Sequence, residues 1–437
     1  MGSTMWKRGL AGGLCGLLLS GLGGCAQIIS AAPGEPAASS PDEGSGQNEY
    51  APYAALWGLT AEQRQEDFAY FEQQLRENYP CWGILERNGT DYEAILDEYR
   101  EMAAQTDNDF ELYVAVNSAL YRLGGQGHLS MIDPEWFGGF RDAYNEHAEN
   151  GHAEGETRER WQEVLNDPVT VENYGKLLTA VKALSDGEDG GSGPGEPEAS
   201  ADSVTTLIIE EGKIAYLKID SFDTYDADKE KVSAFLDKVH GYSHLIIDIT
   251  QNSGGSDSYW MDLLVAPLAK TRLSSTSYAL VRSAENTAPY LEEAFGADEL
   301  RPVSELPQLP ALEPRDRELA THFIENTLEV EPLGSGFDGE IWLLVSEYVY
   351  SASEAFTVFC KDTGFATVVG MPTGGDGIGI DPVFLRLPNS GLLVRYAPLF
   401  GLNPDGSSNE EYGSAPDLLS PDGESPLITA LRAIREG

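Results

Sequence analysis

The chain has 437 residues, and its 72 acidic against 28 basic residues give a formal net charge of −44 at pH 7. Such a charge repels nucleic acids and bare anionic membrane surfaces, so we expect neither as a binding partner. The four cysteines and six histidines show no zinc-ligand spacing, and no Gly-rich phosphate loop precedes a helix, so the sequence predicts neither a metal nor an organic cofactor.

The first 25 residues have the layout of a signal peptide. Lys7 and Arg8 precede an apolar run that is too short and too rich in glycine to span a membrane. The run ends in Leu-Gly-Gly-Cys, which resembles the lipobox of bacterial lipoproteins, in which the cysteine is lipidated and becomes the first residue. We therefore predict lipidation at Cys25 and an extracytoplasmic protein that is lipid-anchored to the cell membrane. Cleavage of an ordinary signal peptide near Ala26 is the alternative. Residues 26–50 are predicted to be a disordered tether.

Residues 51–132 are predicted to form an N-terminal helical domain. Aromatic and leucine residues recur at three- and four-residue steps after Thr60, which is a suitable N-cap. Further helices are expected from Tyr92 and over 109–120, and the chain then reaches a Gly-rich turn that contains His128. Residues 133–203 are polar and acidic and end in a low-complexity stretch, so we predict a surface excursion followed by a linker.

Residues 204–437 alternate between buried strands and helices, which predicts an α/β layered core. The segment 274–338, rich in Pro, Glu and Leu, is predicted to be a second excursion. Cys81 and Cys360 could form one disulfide or remain two buried thiols, and the sequence does not decide between them. Strands are expected at 213–219, 244–249, 341–345 and 366–369, and a hairpin over 383–396.

Ser351 is the candidate nucleophile. It follows the buried strand at 341–345 and begins the next helix, where unpaired backbone N–H groups can stabilise a developing oxyanion. Taken alone, this position also suits a simple helix cap. His128 is the only histidine in a Gly-rich turn and is the candidate base. The glycines at 254 and 255 follow another buried strand and permit a close backbone approach.

Five segments stand out along the chain. They are Gly-His-Leu-Ser at 127–130, Ile-Ile-Asp-Ile-Thr-Gln-Asn-Ser-Gly-Gly at 246–255, Tyr-Ser-Ala-Ser-Glu at 350–354, Val-Gly-Met-Pro-Thr-Gly-Gly at 369–375 and Glu-Tyr-Gly-Ser-Ala-Pro-Asp at 411–417. In this order the five segments resemble the S41 peptidases, which are the C-terminal processing and tricorn-like serine proteases. The resemblance covers residue 60 or so to the end of the chain and implies a ClpP/crotonase-like catalytic core over residues 204–437.

The resemblance implies roles for individual residues. Ser351 corresponds to the nucleophile, and the N–H of Ala352 together with Gly254, or else Gly255, corresponds to the oxyanion hole. Processing-protease members use a lysine as base, and Asp376 stands at that place in this chain. An aspartate cannot act as a deprotonated lysine, so a Ser–Lys dyad is excluded.

Tricorn-like members use a histidine and a glutamate instead, and these correspond to His128 and to Glu410, or less well to Glu411. Gly127 replaces the serine that precedes the histidine in tricorn, and we recognise no PDZ-like segment between His128 and Lys213. The resemblance thus implies a serine endopeptidase with a peptide or protein substrate; the oligomeric state is left open.

Two other classes of function remain open. The replaced lysine and the missing serine are compatible with a catalytically inactive S41-like lipoprotein that binds peptides or cell-wall material. A solute-binding lipoprotein would fit the N-terminal segment and the tether, but it would leave the five segments unexplained.

Overall fold

The computed structural model describes residues 56–150, 158–185 and 203–436. The predicted signal peptide, the lipidation site Cys25 and the tether lie outside the described residues. Among the residues that are described, no helix is long and apolar enough to cross a membrane.

The N-terminal part is helical, as predicted. Its first helix begins with a capping box: the Thr60 side chain accepts a hydrogen bond from the Gln63 backbone, and the Gln63 side chain accepts one from the Thr60 backbone. The helices of this part are Ala61–Asn78, Trp82–Arg87, Tyr92–Ala104, Asp109–Leu123, Phe137–Asn150, Glu159–Leu165 and Pro168–Ser185.

The prediction of a polar surface excursion after residue 133 is wrong for the described part of that segment. Its helices bury Trp161, Tyr174 and Leu177 in the same apolar cluster as the preceding helices. The average composition is acidic, but a few large apolar residues at helical spacing suffice to attach an amphipathic helix to a core. The low-complexity linker lies largely outside the described residues.

Over the described ranges, thirteen strands form three sheets. The strands are β1 Ser130–Met131, β2 Val204–Glu210, β3 Ile214–Ile219, β4 His244–Asp248, β5 Leu273–Val281, β6 Arg301–Pro302, β7 His322–Val330, β8 Glu340–Val345, β9 Thr367–Gly370, β10 Val383–Arg386, β11 Leu393–Tyr396, β12 Leu399–Leu402 and β13 Leu418–Leu419. The later helices are Tyr225–Val239, Asp257–Trp260, Ala266–Leu268, Ala288–Phe295, Pro314–Leu319, Ala352–Thr363, Asn409–Tyr412 and Pro426–Glu436, with a π-helical turn at Met261–Val265 and 3-10 turns at Ala297–Glu299 and Val303–Glu305.

The largest sheet has six strands in the order β13-β9-β8-β4-β3-β2, all parallel except β2. Alternate residues of its central strands face opposite sides, as strand geometry requires. Leu245 and Leu343 pack with the helices at 225–239 and 352–363, whereas Ile246 packs on the helix at 426–436. This confirms the predicted α/β layered core.

The prediction of a second excursion, at 274–338, is also wrong. This segment supplies β5, β6 and β7, which join β12 in a four-stranded antiparallel sheet of order β12-β5-β7-β6. Nine residue pairs join β5 to β7. The Ser-Ser-Thr-Ser run at 274–277, within β5, gave little sign that this stretch would pair as a strand.

The third sheet brings the N-terminal part to the α/β part. The predicted hairpin is confirmed as β10 and β11, and β1 pairs with β11 so that Ser130 lies opposite Arg395. The hairpin residues share one apolar cluster with the N-terminal helices, so the boundary predicted at residue 132 does not separate two cores. Cys81 and Cys360 are both buried free thiols, which excludes the disulfide.

Candidate active site

Ser351 lies at the carboxyl edge of the six-stranded sheet, between β8 and the helix Ala352–Thr363. Its backbone has φ 57° and ψ −126°, a conformation that costs a non-glycine residue roughly 1–3 kcal/mol. Its N–H donates to the Gly375 carbonyl at 3.0 Å, and its own carbonyl accepts from the Ala355 N–H at 2.8 Å. The side chain makes no capping hydrogen bond, so Ser351 is not a simple helix cap.

The predicted oxyanion-hole groups lie beside Ser351. The Ala352 N–H begins the helix and has no intrahelical acceptor. Gly254 has φ 120°, and a Cβ there would lie 3.0 Å from the Ser351 Cβ and 3.2 Å from the Ala352 nitrogen. Only a glycine permits this approach. The Gly254 N–H itself donates to Asn252 Oδ1 at 2.9 Å.

Gly255 lies one residue further from the serine. It has φ 133°, and a Cβ there would lie 2.4 Å from the Phe222 carbonyl carbon. Gly255 therefore lets the turn pack on the chain that leaves β3, while Ala352 and Gly254 adjoin Ser351.

His128 reaches the site from the loop between the helix Asp109–Leu123 and β1. The helix ends at Gly124 in the left-handed region, and His128 itself has φ 57°. Its side chain is 8% exposed, and its ring contacts the Tyr350 ring edge-on with centroids 5.1 Å apart. The fold thus places His128 against the residue that precedes Ser351.

Both imidazole nitrogens of His128 are engaged. Nε2 lies 3.0 Å from Oδ2 of Asp376, and Nδ1 lies 3.0 Å from Nη2 of Arg395. A guanidinium can only donate, so a bond to Arg395 makes Nδ1 the acceptor. The ring proton is then on Nε2, and this N–H donates a hydrogen bond to the carboxylate of Asp376.

The hydroxyl of Ser351 makes no hydrogen bond with any described residue, so no Ser–His bond is formed in this arrangement. Catalytic hydrogen bonds are often long or poorly aligned in substrate-free enzymes and tighten when substrate is bound. The geometry therefore gathers the predicted nucleophile and base in one cluster, with the base held by other partners.

Glu410 lies in the same cluster, but it contacts the histidine segment through the backbone. Its Oε1 accepts from the Gly127 N–H at 2.7 Å, and its Oε2 accepts from the Tyr350 hydroxyl at 3.1 Å. Glu411 instead pairs with Arg87 at 2.6 Å, away from the imidazole. Of the two candidate glutamates, only Glu410 contacts the histidine segment.

Asp376 and Glu410 form a buried carboxylate pair, because the Tyr350 hydroxyl lies 3.3 Å from the first and 3.1 Å from the second. Burial raises the pKa of Asp376 to about 7, against the opposing effects of the Tyr350 hydrogen bond and the Arg395 charge. Burial and the neighbouring Asp376 raise the pKa of Glu410 well above its usual range. Near neutral pH the pair therefore holds a proton.

Three residues of this cluster were not assigned a role from the sequence: Asp376, Tyr350 and Arg395. The sequence did offer a clue to Asp376: it stands where processing proteases have their lysine base, and a carboxylate at that position can hydrogen-bond a histidine. The sequence offered no such clue to Tyr350 or Arg395, since their roles depend on contacts between distant segments. Within the described ranges, no group of three or more His, Cys, Asp or Glu residues could hold a metal ion.

Comparisons with known proteins bear on the same part of the chain. Residues 213–420 match the profile of peptidase family S41. No curated protein matches the chain in sequence. A solved structure described as a candidate peptidase from Parabacteroides merdae is similar with a TM-score of 0.51 and 17% identity, over 85% of this chain and 96% of that chain. This likeness supports the fold alone.

Two further structures are similar at lower scores. Mature CPAF aligns with a TM-score of 0.48 and 12% identity, over 86% of this chain and 95% of that chain. The photosystem II D1 C-terminal processing protease aligns with a TM-score of 0.43 and 14% identity, over 83% and 94% of the two chains.

Proposed function

We propose that this chain, which belongs to peptidase family S41, is a serine endopeptidase with Ser351 as nucleophile and His128 as base. One observation carries the proposal. Among the described residues, the non-glycine positions with positive φ are His128, Ser351 and Asp376. They come from three separate segments and meet at one site. Backbone strain of this kind persists where function requires it.

The proposed reaction is acyl transfer to the serine and then to water. Ser351 Oγ attacks the carbonyl carbon of the scissile bond, and its proton passes to His128. The tetrahedral oxyanion accepts hydrogen bonds from the Ala352 N–H and from the Gly254 N–H, which exchanges its bond to Asn252 Oδ1 for one to the oxyanion. His128 returns the proton to the leaving amine as the C–N bond breaks. Water, deprotonated by His128, then hydrolyses the acyl-enzyme.

We further propose that the enzyme is held outside the cell membrane by lipid on Cys25. The support is the Leu-Gly-Gly-Cys sequence that follows the apolar run. Two acyl chains on one residue anchor a protein stably, whereas one chain does so only marginally.

The nucleophile is tested by labelling with a fluorophosphonate probe, which reacts only with an activated serine. We expect the wild-type protein to be labelled and to cleave peptides, and Ser351→Ala to do neither. Equal labelling of the wild type and Ser351→Ala would refute the assignment. A wild-type protein that neither labels nor cleaves would favour the inactive peptide-binding relative.

Ser353→Ala is the matched control. The Ser353 hydroxyl is buried, donates to the Asn252 carbonyl at 2.7 Å and accepts from the Tyr350 N–H at 3.1 Å. Its loss should destabilise the fold by about 1 kcal/mol and leave the labelling in place, because it is not the nucleophile.

A further inference from the structure

The geometry points to Asp376, rather than Glu410, as the residue that positions His128 in this chain. The inference deepens the proposed function and rests on it. Of the two buried carboxylates, Asp376 alone contacts the imidazole, with Oδ2 3.0 Å from Nε2. The Glu410 carboxylate is occupied by the Gly127 N–H and the Tyr350 hydroxyl.

The loop that carries Asp376 is held rigidly at the serine. Asp376 has φ 55°, and the carbonyl of the preceding Gly375 accepts from the Ser351 N–H at 3.0 Å. On its other side the loop packs on Asn409: a Cβ at Gly375 would lie 2.3 Å from the Asn409 carbonyl oxygen, and the Gly377 N–H donates to Asn409 Oδ1 at 2.8 Å. The carboxylate is therefore fixed relative to the nucleophile.

The contacts of the imidazole indicate which ring nitrogen donates a hydrogen bond and which accepts one. Arg395 donates to Nδ1, so the Nε2 proton lies in the bond to Asp376. When Ser351 loses its proton, Nδ1 is the nitrogen left to accept it, and Arg395 must first release that atom. The Ser351 O–H bond breaks, an N–H bond forms at Nδ1, and the positive imidazolium then lies against the carboxylate of Asp376.

Glu410 has a different role in this arrangement. Glu410 accepts a hydrogen bond from the Gly127 N–H and so supports the backbone that precedes His128. The Tyr350 hydroxyl lies between the carboxyl groups of Glu410 and Asp376 and contacts both. Replacement of the Glu410 carboxyl by an amide leaves the bond between Asp376 and the imidazole in place. The two carboxylates can therefore be separated by substitution.

The test compares Asp376→Asn with Glu410→Gln in the folded protein without its signal peptide. Asparagine is the suitable replacement because it tolerates the left-handed backbone at position 376. We expect Asp376→Asn to lower the rates of peptide cleavage and probe labelling on the order of 10⁴-fold, as when a triad carboxylate becomes an amide. Glu410→Gln should lower them less than about tenfold.

A second measurement does not depend on turnover. The imidazole N–H that is bonded to a buried carboxylate gives a proton NMR resonance far downfield of the amides. We expect this resonance in the wild type, in Ser351→Ala and in Glu410→Gln, and we expect it to be absent in Asp376→Asn and His128→Ala. Circular dichroism verifies that each variant is folded.

The outcomes separate this inference from the proposed function. Retention of the resonance in Asp376→Asn, or its loss in Glu410→Gln with activity abolished, would assign the positioning role to Glu410 and overturn the inference. Absence of labelling in the wild type would refute the proposed function, while the resonance would still decide which carboxylate holds His128.

Discussion

Glu354 gives the fold a pH dependence that can be removed by one substitution. It is fully buried in the first turn of the helix Ala352–Thr363. Its Oε1 accepts from the Asn409 amide and the Ser414 hydroxyl, each at 2.7 Å. Its Oε2 is buried and has no hydrogen-bond partner among the described residues. Burial raises the pKa of the carboxyl from 4.5 to about 7, and the neighbouring side chains of Thr373, Ser414 and Asn409 oppose the shift.

The sign and size of the effect follow from linkage. Between pH 4.5 and 7 the native protein keeps a proton on Glu354 that the unfolded chain has lost, so stability falls as pH rises through this window and then levels off. The shift of about 2.5 pKa units corresponds to about 3 kcal/mol in full, of which about 2.5 kcal/mol develops between pH 5 and pH 8.5.

Glu354→Gln should abolish this contribution. The amide resembles the protonated carboxyl of the wild type: it keeps an acceptor for Asn409 and Ser414, and its N–H takes the place of the O–H at Oε2. The free energy of unfolding of the variant, relative to the wild type, should therefore rise by about 2.5 kcal/mol from pH 5 to pH 8.5.

Urea unfolding followed by tryptophan fluorescence, at several pH values in this range, measures the difference. Glu101→Gln, at an exposed position of the helix Tyr92–Ala104, is the control and should follow the wild type at each pH. A constant offset between Glu354→Gln and the wild type across the range would show that the native carboxyl titrates as in the unfolded chain, and the argument from burial would then be wrong.

Two further substitutions test other parts of the proposal. Gly254→Ala should abolish probe labelling and destabilise the fold by roughly 1–3 kcal/mol, because φ is 120° and the added Cβ would lie 2.9 Å from the Tyr350 carbonyl oxygen; a labelled, stable variant would show that the turn can move away from Ser351. Cys25→Ser should leave the protein unprocessed or release it to the medium, as followed by membrane fractionation and mass spectrometry of the N-terminus; wild-type protein found free in the medium with an unmodified Ala26 as first residue would refute lipidation.

Much of the α/β core could be predicted from local patterns. The strand β8 follows from an apolar run at 341–345, and the end of the helix Ala352–Thr363 follows from Gly364, since glycine commonly ends helices. The hairpin β10–β11 follows from the Pro-Asn-Ser-Gly turn at 388–391. These signals act over a few residues, where side-chain periodicity and backbone preference dominate. The segments 133–185 and 274–338 were predicted wrongly, because their polar composition concealed the few positions that pack against distant elements.

The sequence also indicated the candidate nucleophile and base, since Ser351 and His128 are distinguished by their positions and residue types. Only the tertiary structure decided their partners. Arg395 binds His128 across 267 residues, and Glu410 binds Gly127 across 283 residues. Such contacts depend on strand register and loop packing. These bring distant segments together and thereby determine which carboxylate lies against the imidazole. The pairing of Asp376 with His128 therefore became visible only in the folded chain.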